Sequence, residues 1–330
     1  MFEIGLKARK KWLSFKLRKI KDKTGNQVRE VSFTSILLSV LLKILILSFF
    51  ALVILFPFFY MLTISLMSND QAELLAGKKP VFLPDGAHWE NFSKVAFTET
   101  SSGTNYWGSF ALTFFNVLVS IVAKIFVTLL AGYAFSLKNW KGKSVLWTIL
   151  ISLLVLPEVA LLAGQYYVVT KVNDNIIPLR SNYAGAIAIM VLPFSASIFN
   201  ILMYRNAFDA IPSRIKEVAM IDGAVGAKYL FKIAIPMVMP TTLTVIILTA
   251  LASWNAYLWP SINFQNKYQV MSIWLFSAGR DPEGIDDAKL FLNIRLAAAI
   301  LVTLPMFVAY MFARRRIMNA ISRQGSAIKG

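Results

Sequence analysis

The sequence predicts an all-α membrane protein with six transmembrane helices and a helix-turn-helix loop on its cytoplasmic side. Three observations predict it: a composition 57% hydrophobic and 15% charged with mean hydropathy +0.61, six long apolar windows, and connecting segments whose net charge alternates in sign. Such a composition lies outside the soluble range. There is no cysteine and one histidine, His88, so disulfides and thiolate chemistry are excluded and a histidine-based metal site is not expected.

The windows fall at about 44–66, 109–134, 145–169, 183–203, 241–261 and 291–312. Each holds the ~20 residues that cross roughly 30 Å of hydrocarbon. Each is expected to be a helix, because an unpaired backbone in lipid costs several kcal/mol per group and no alternating barrel pattern is present. The division that follows is a basic N-terminal segment (1–35), a six-helix domain (36–312) and a C-terminal tail (313–330).

Charge gives the orientation. The first 30 residues carry net +7, segment 135–144 carries +3, segment 204–240 carries +2 and the tail carries +5. The alternate segments 67–108, 170–182 and 262–290 together carry −2. By the positive-inside rule both termini and the loop 204–240 are expected in the cytoplasm, and the other three loops outside. The basic N-terminus, KARKKWLSFKLRKIKDK, reads as an orientation signal docking on anionic headgroups rather than as a nucleic-acid arm. It lacks the features of a cleavable signal peptide.

The longest cytoplasmic loop carries EVAMIDGAVGAKYLFKIAIP, residues 217–236. Pro212 and Ser213 are expected to start a helix, with the serine as cap, that presents Ile215, Val218, Ala219 and Ile221 on its apolar side. Asp222-Gly223 is expected to end it, since glycine accepts the left-handed conformation of a C-terminal cap. A second short helix from about Gly226 carries Tyr229, Leu230, Phe231 and Ile233 and is expected to stop at Pro236. Such short apolar helices need a partner surface.

This stretch resembles the coupling motif of bacterial ABC importer permeases, in which Glu-Ala-Ala is followed after three residues by Gly, after nine more by Ile, and after one more by Leu-Pro. Glu217, Ala219, Gly223, Ile233 and Pro236 stand at those spacings, and Asp222-Gly223-Ala224 matches a frequent variant. Val218 and Ile235 depart mildly from the pattern. WNAYLWP at 254–260 is similar to the fifth helix of carbohydrate importers, FLP with HWENF at 82–92 is similar to their first external loop, and the terminal GSAIKG resembles the tail of MalG-like subunits.

The resemblance implies a permease subunit forming half of a path for a carbohydrate, by family an oligosaccharide, in a bacterial cytoplasmic membrane. It implies a second, MalF-like permease, two copies of an ABC ATPase and an extracytoplasmic solute-binding protein as partners. Glu217, Ala219, Asp222, Gly223, Ala224, Tyr229, Phe231, Ile233 and Pro236 would meet the ATPase, and Lys329 and Gly330 would reach toward it. Gly279, Arg280, Asp281 and Gly284, in the external segment 263–290, would contact the binding protein; a solvated hairpin is the alternative. No cofactor is expected in this chain, with ATP and Mg held by the ATPase. KGKS at 141–144 lacks the glycine of a phosphate loop, since Leu137 stands in its place.

Polar groups inside spans usually face the bundle or a watery cavity, which makes Asn116, Lys124, Glu158, Asn200, Asn255 and Arg295 candidates for the solute path. Glu158 follows Pro157, where a helix interruption would expose backbone to a polyhydroxylated solute. Trp254, Tyr257 and Trp259 offer faces that stack on sugar rings. The alternatives are an interfacial anchor for Trp259, snorkelling or intersubunit pairing for Lys124, and interhelical hydrogen bonds for Asn116 and Asn200. A secondary transporter would show paired intramembrane acids or repeated broken helices. A membrane enzyme would need a catalytic constellation, and no catalytic residue or metal ligand is expected.

Overall fold

The computed structural model describes Trp12, Ser14 and residues 33–77, 79, 81–100, 103–138, 140–264, 267–280 and 290–327, with backbone alone at 33–36 and 315–327. Contacts divide the chain into two units, Met1–Phe58 and Phe59–Gly330. Most of the first helix, α1 (Phe33–Ser65), lies in the first unit. Every described side chain of that helix from Leu37 to Phe58 is exposed. A helix apolar all round and uncovered by its own unit is built for lipid or a partner chain.

The second unit begins with two short helices, α2 (Asn69–Ala76) and α3 (Glu90–Phe97). Asn91, 2% exposed, fixes α3 by donating to the carbonyls of Ser65 at 2.9 Å and Met67 at 3.0 Å. Ser68 caps α2 through Gln71 N–H and donates from its hydroxyl to the Asp85 carboxylate at 2.9 Å. That bond holds the Asp85 carboxyl below its ordinary value. His88 sits between Asp85 and Glu90, at 3.4 and 3.9 Å, in a surface role.

The longer elements are α4 (Tyr106–Ser136), α5 (Lys143–Leu153), α6 (Glu158–Asn175), α7 (Tyr183–Phe194), α8 (Ile198–Asp209), α9 (Ser213–Ile221), α10 (Ala227–Met237), α11 (Met239–Trp254), α12 (Leu258–Phe264), α13 (Met271–Ser277) and α14 (Leu292–Ala327). Three apolar stretches are single helices long enough to span: Leu37–Ser65, Tyr106–Ser136 and Leu292–Arg314. Three more are bent pairs, α5 with α6 at 104°, α7 with α8 at 60° and α10 with α11 at 70°, and the total reaches six if each pair is one span.

The expectation of one helix per window is therefore corrected in three places. Window 145–169 breaks at Leu154–Pro157, window 183–203 breaks after Phe194 where Ser197 caps α8, and window 241–261 ends its helix at Trp254 before α12 starts. Proline explains the first of these and the bend between α10 and α11: Pro157 cannot donate to the preceding turn, and Val238 is flanked by Pro236 and Pro240, which remove two helical N–H donors.

The core of the second unit is built around α4. Tyr106, Val117, Trp254, Trp274 and Ala298 form one cluster, Leu112, Ile189, Trp259 and Phe264 a second, and Leu129, Tyr204, Phe208, Leu230 and Val245 a third. The helices α4 and α8 meet at Gly132. A Cβ there would stand 3.0 Å from Arg205 N and 3.1 Å from Ile201 O, so glycine allows the backbones to touch.

Candidate functional site

Asn116, Ser120 and Lys124 recur every four residues and so share one face of α4. They line a cavity of about 310 Å³ together with Glu158 at the start of α6, Val191 and Phe194 of α7, and Ser253, Tyr257 and Trp259 around the α11–α12 junction. The break after α5 opens the wall at Glu158, where the carboxylate in the first turn suits the positive end of the α6 dipole. The cavity thus carries one cation and one anion among its described lining residues.

Asn116 is 2% exposed. Its Nδ2 donates to Ser253 O at 3.4 Å, while its Oδ1 is buried with no hydrogen-bond partner among the described residues. Trp259 donates from Nε1 to Ile189 O at 2.9 Å and packs against Phe194 with ring centroids 5.6 Å apart. Its indole is therefore a fixed wall. Tyr257 is 46% exposed and its ring lies 5.1 Å from that of Phe276. Polar donors and acceptors beside aromatic faces suit a polyhydroxylated solute.

Other path candidates go elsewhere. Trp254 is buried beside Phe110 in the core, Asn255 donates to Leu251 O within its own helix end, and Asn200 is buried in the first turn of α8. None of the three lines the cavity. Arg295 donates to Ala278 O and Phe276 O, neutralising the C-terminal carbonyls of α13. Ser120 was missed by type alone, although its position between Asn116 and Lys124 was readable.

On the loop, α9 ends at Asp222, Gly223 and Gly226 take φ of 66° and 58°, and Ala224 N–H donates to Ala219 O at 2.8 Å. Two expectations are corrected. Pro212, not Ser213, precedes the first helical residue and no side chain caps it. Helix α10 continues through Pro236, with a π stretch at Leu230–Ala234, and the bend falls at Val238, where prolines on both sides deprive the ladder of donors.

The loop has two faces. Ala219, Leu230 and Ala234 are buried, the last two against Tyr204 and Phe208. Val218, Met220, Ile221, Val225 and Phe231 are 56–85% exposed. Glu217 and Pro236 are also exposed, and Tyr229 and Ile233 are half-buried. A cluster of exposed apolar side chains rimmed by polar ones marks an interaction surface.

At the opposite end, Gly279 has φ 76° and a Cβ there would meet Phe291 O at 2.7 Å. Phe291 N–H donates to Gly279 O at 2.7 Å and Arg280 bridges Leu290, which brings the two sides of this segment together. Thr98 and Glu99 from the loop after α3 share a cavity of about 240 Å³ with Gly279 and Arg280. Asp281, Gly284, Lys329 and Gly330 lie outside the described residues. Among the described residues no group of three or more His, Asp or Glu side chains could hold a metal ion.

Comparison with known proteins agrees with this architecture. Residues 124–323 match the model of the binding-protein-dependent transport system inner membrane component family. The chain is 39% identical over 323 residues to a probable ABC transporter permease of Mycoplasma pneumoniae, covering 97% of this chain and 98% of the relative. It is 27% identical over 277 residues, 83% of this chain and 91% of the relative, to a melibiose/raffinose/stachyose import permease of Bacillus subtilis. A chain of a crystallised bacterial ABC transporter involved in import of the acidic polysaccharide alginate shares the fold, with TM-score 0.65, 22% identity and coverage of 88% of this chain and 99% of that one. The chain belongs to the family of binding-protein-dependent transport system inner membrane components, the permease subunits of ABC transporters.

Proposed function

We propose that this permease forms half of a carbohydrate path, accepts oligosaccharide from an extracytoplasmic binding protein, and is driven by two copies of a separate ATPase. A second, MalF-like permease completes the path. ATP and Mg are held by the ATPase, both termini face the cytoplasm, and the chain divides into a basic N-terminal segment (1–35), a six-helix domain (36–312) and a C-terminal tail (313–330). The observation that carries this reading is the exposed apolar face of α9 with Phe231, opposite a buried face, Leu230 and Ala234, that packs with Tyr204 and Phe208 of α8.

The loop follows the bent pair α7–α8 in the chain and leads through α10 into α11, and both pairs carry residues that line the cavity. Before it, α8 continues from α7, which carries Val191 and Phe194; after it, α10 leads through the Val238 bend to α11, which carries Ser253. Displacement of α9 by the ATPase is passed through Leu230 and Ala234 to Tyr204 and Phe208 of α8, and through the bend to α11. Packed side chains transmit such a step as rigid-body movement because interiors are close-packed. Asn116, Lys124, Glu158 and Tyr257 then face the solute, and Gly279 with Arg280 faces the binding protein. Carbohydrate as the solute class is supported by the cavity chemistry and by the B. subtilis relative's name.

The test is uptake into proteoliposomes holding the transporter purified with its companion subunits and its binding protein. Internal oligosaccharides are identified by mass spectrometry. Accumulation that requires ATP and resists a protonophore is expected. Uptake that proceeds without ATP, or ATP-driven uptake of no carbohydrate from a mixed pool, would overturn the reading.

A further inference from the structure

A second cavity, of about 480 Å³, lies behind the loop at the basic end of α4. Leu137, which ends α4, and Phe208 and Met220 give it apolar walls, while Lys138, Lys216 and Tyr229 bring polar groups to it. Three features are unexplained by the fold. The Tyr229 hydroxyl is buried with no hydrogen-bond partner among the described residues, although a buried hydroxyl normally has one. Neither lysine has a carboxylate within 4.0 Å among the described residues. The apolar volume is large and stands beside the end of α4, a helix long and apolar enough to span.

We propose that this cavity binds an anionic phospholipid. Two unpaired ammonium groups and a free hydroxyl complement a phosphodiester, and the apolar wall takes the start of an acyl chain. A neutral lipid would leave the lysines without a counter-charge. Inorganic phosphate would leave the apolar wall wet. Ala224 and Gly226 form part of the wall, so the lipid would rest against the segment that turns at Gly223 and Gly226.

The experiment is native mass spectrometry of the transporter purified from its own membranes with its companion subunits, followed by titration with phosphatidylglycerol or phosphatidylcholine. The wild type should retain the anionic lipid selectively. K138Q and K216Q should each weaken retention about five-fold, the contribution of one lysine near an anionic headgroup. Y229F, which keeps the ring and its packing, should weaken it by about ten-fold or more, as expected for one hydrogen bond to a charged group. K228Q is the control, since Lys228 is exposed and does not line the cavity. Equal retention by wild type and all three cavity variants would overturn the proposal. So would an effect reproduced by inorganic phosphate alone, or crosslinks showing the cavity filled by a companion subunit. The readout needs no transport, so it fails or succeeds independently of the import reading.

Discussion

Asn116→Leu separates a solute-binding role from a structural one. The wild-type side chain makes a long 3.4 Å bond to Ser253 O and leaves Oδ1 buried and unmet. An unmet buried acceptor costs about 1–3 kcal/mol, while a neutral hydrogen bond contributes about 0.5–1.5 kcal/mol. Leucine of similar volume removes both terms. The empty transporter should therefore be unchanged or more stable by about 1–2 kcal/mol, read as a raised thermal midpoint in detergent. A solute hydroxyl that donates to Oδ1 loses its partner, so half-maximal uptake should require about 5- to 30-fold more solute. A lowered midpoint with an unchanged solute dependence would refute the reasoning and make Asn116 an interhelical tie.

Gly132→Ala should lower stability by about 1–3 kcal/mol, because the added methyl meets backbone of α8 that cannot rotate away. Gly164→Ala, in the open middle of α6, should be neutral or stabilising by up to about 1 kcal/mol; parallel thermal melts compare them. Glu158→Gln leaves Lys124 as the remaining charge among the described cavity-lining residues. Competition uptake should then shift about ten-fold toward uronate-containing oligosaccharides, the order expected for one charge in a partly desolvated site. Asp85 has a depressed carboxyl value, so its bond from Ser68 is present above the ordinary value and lost as pH falls through the depressed one. Ser68→Ala should move the Asp85 titration back up, seen by carboxyl carbon-13 NMR; an unchanged titration would assign the depression to another cause.

The hydropathy windows 109–134 and 291–312 fall within three residues of Tyr106–Ser136 and Leu292–Arg314, because lipid demands long apolar runs whatever the packing. Averaging hid the breaks at Pro157 and Ser197, which depend on a single missing donor or cap rather than on mean hydropathy. Pro236 shows the same limit. It was expected to stop α10, yet a π stretch absorbed the lost donor and moved the bend two residues on.

Within the cavity, Asn116 and Lys124 were legible because they repeat at helical spacing, and Glu158 because it follows a proline. Trp254 and Trp259 are five residues apart with the same side chain, yet the first packs in the core and the second walls the cavity. Residue type gave both the same expectation; the turn between α11 and α12 sends them apart. Arg295 looked like a path residue until α13 placed carbonyls at Phe276 and Ala278 within its reach. That pairing joins distant parts of the chain and has no local signature.

The central claim is that α9 is the surface through which an ATPase drives this permease. The chain has no native cysteine, so a single one can be placed at Ile221, 85% exposed on α9, with Phe97, 77% exposed at the end of α3, as the control. Native membranes are treated with a short crosslinker and the adducts are identified by mass spectrometry. The account predicts an ATP-binding subunit attached at 221 and not at 97. No adduct at 221, together with solute movement by the purified chain alone in liposomes, would contradict it.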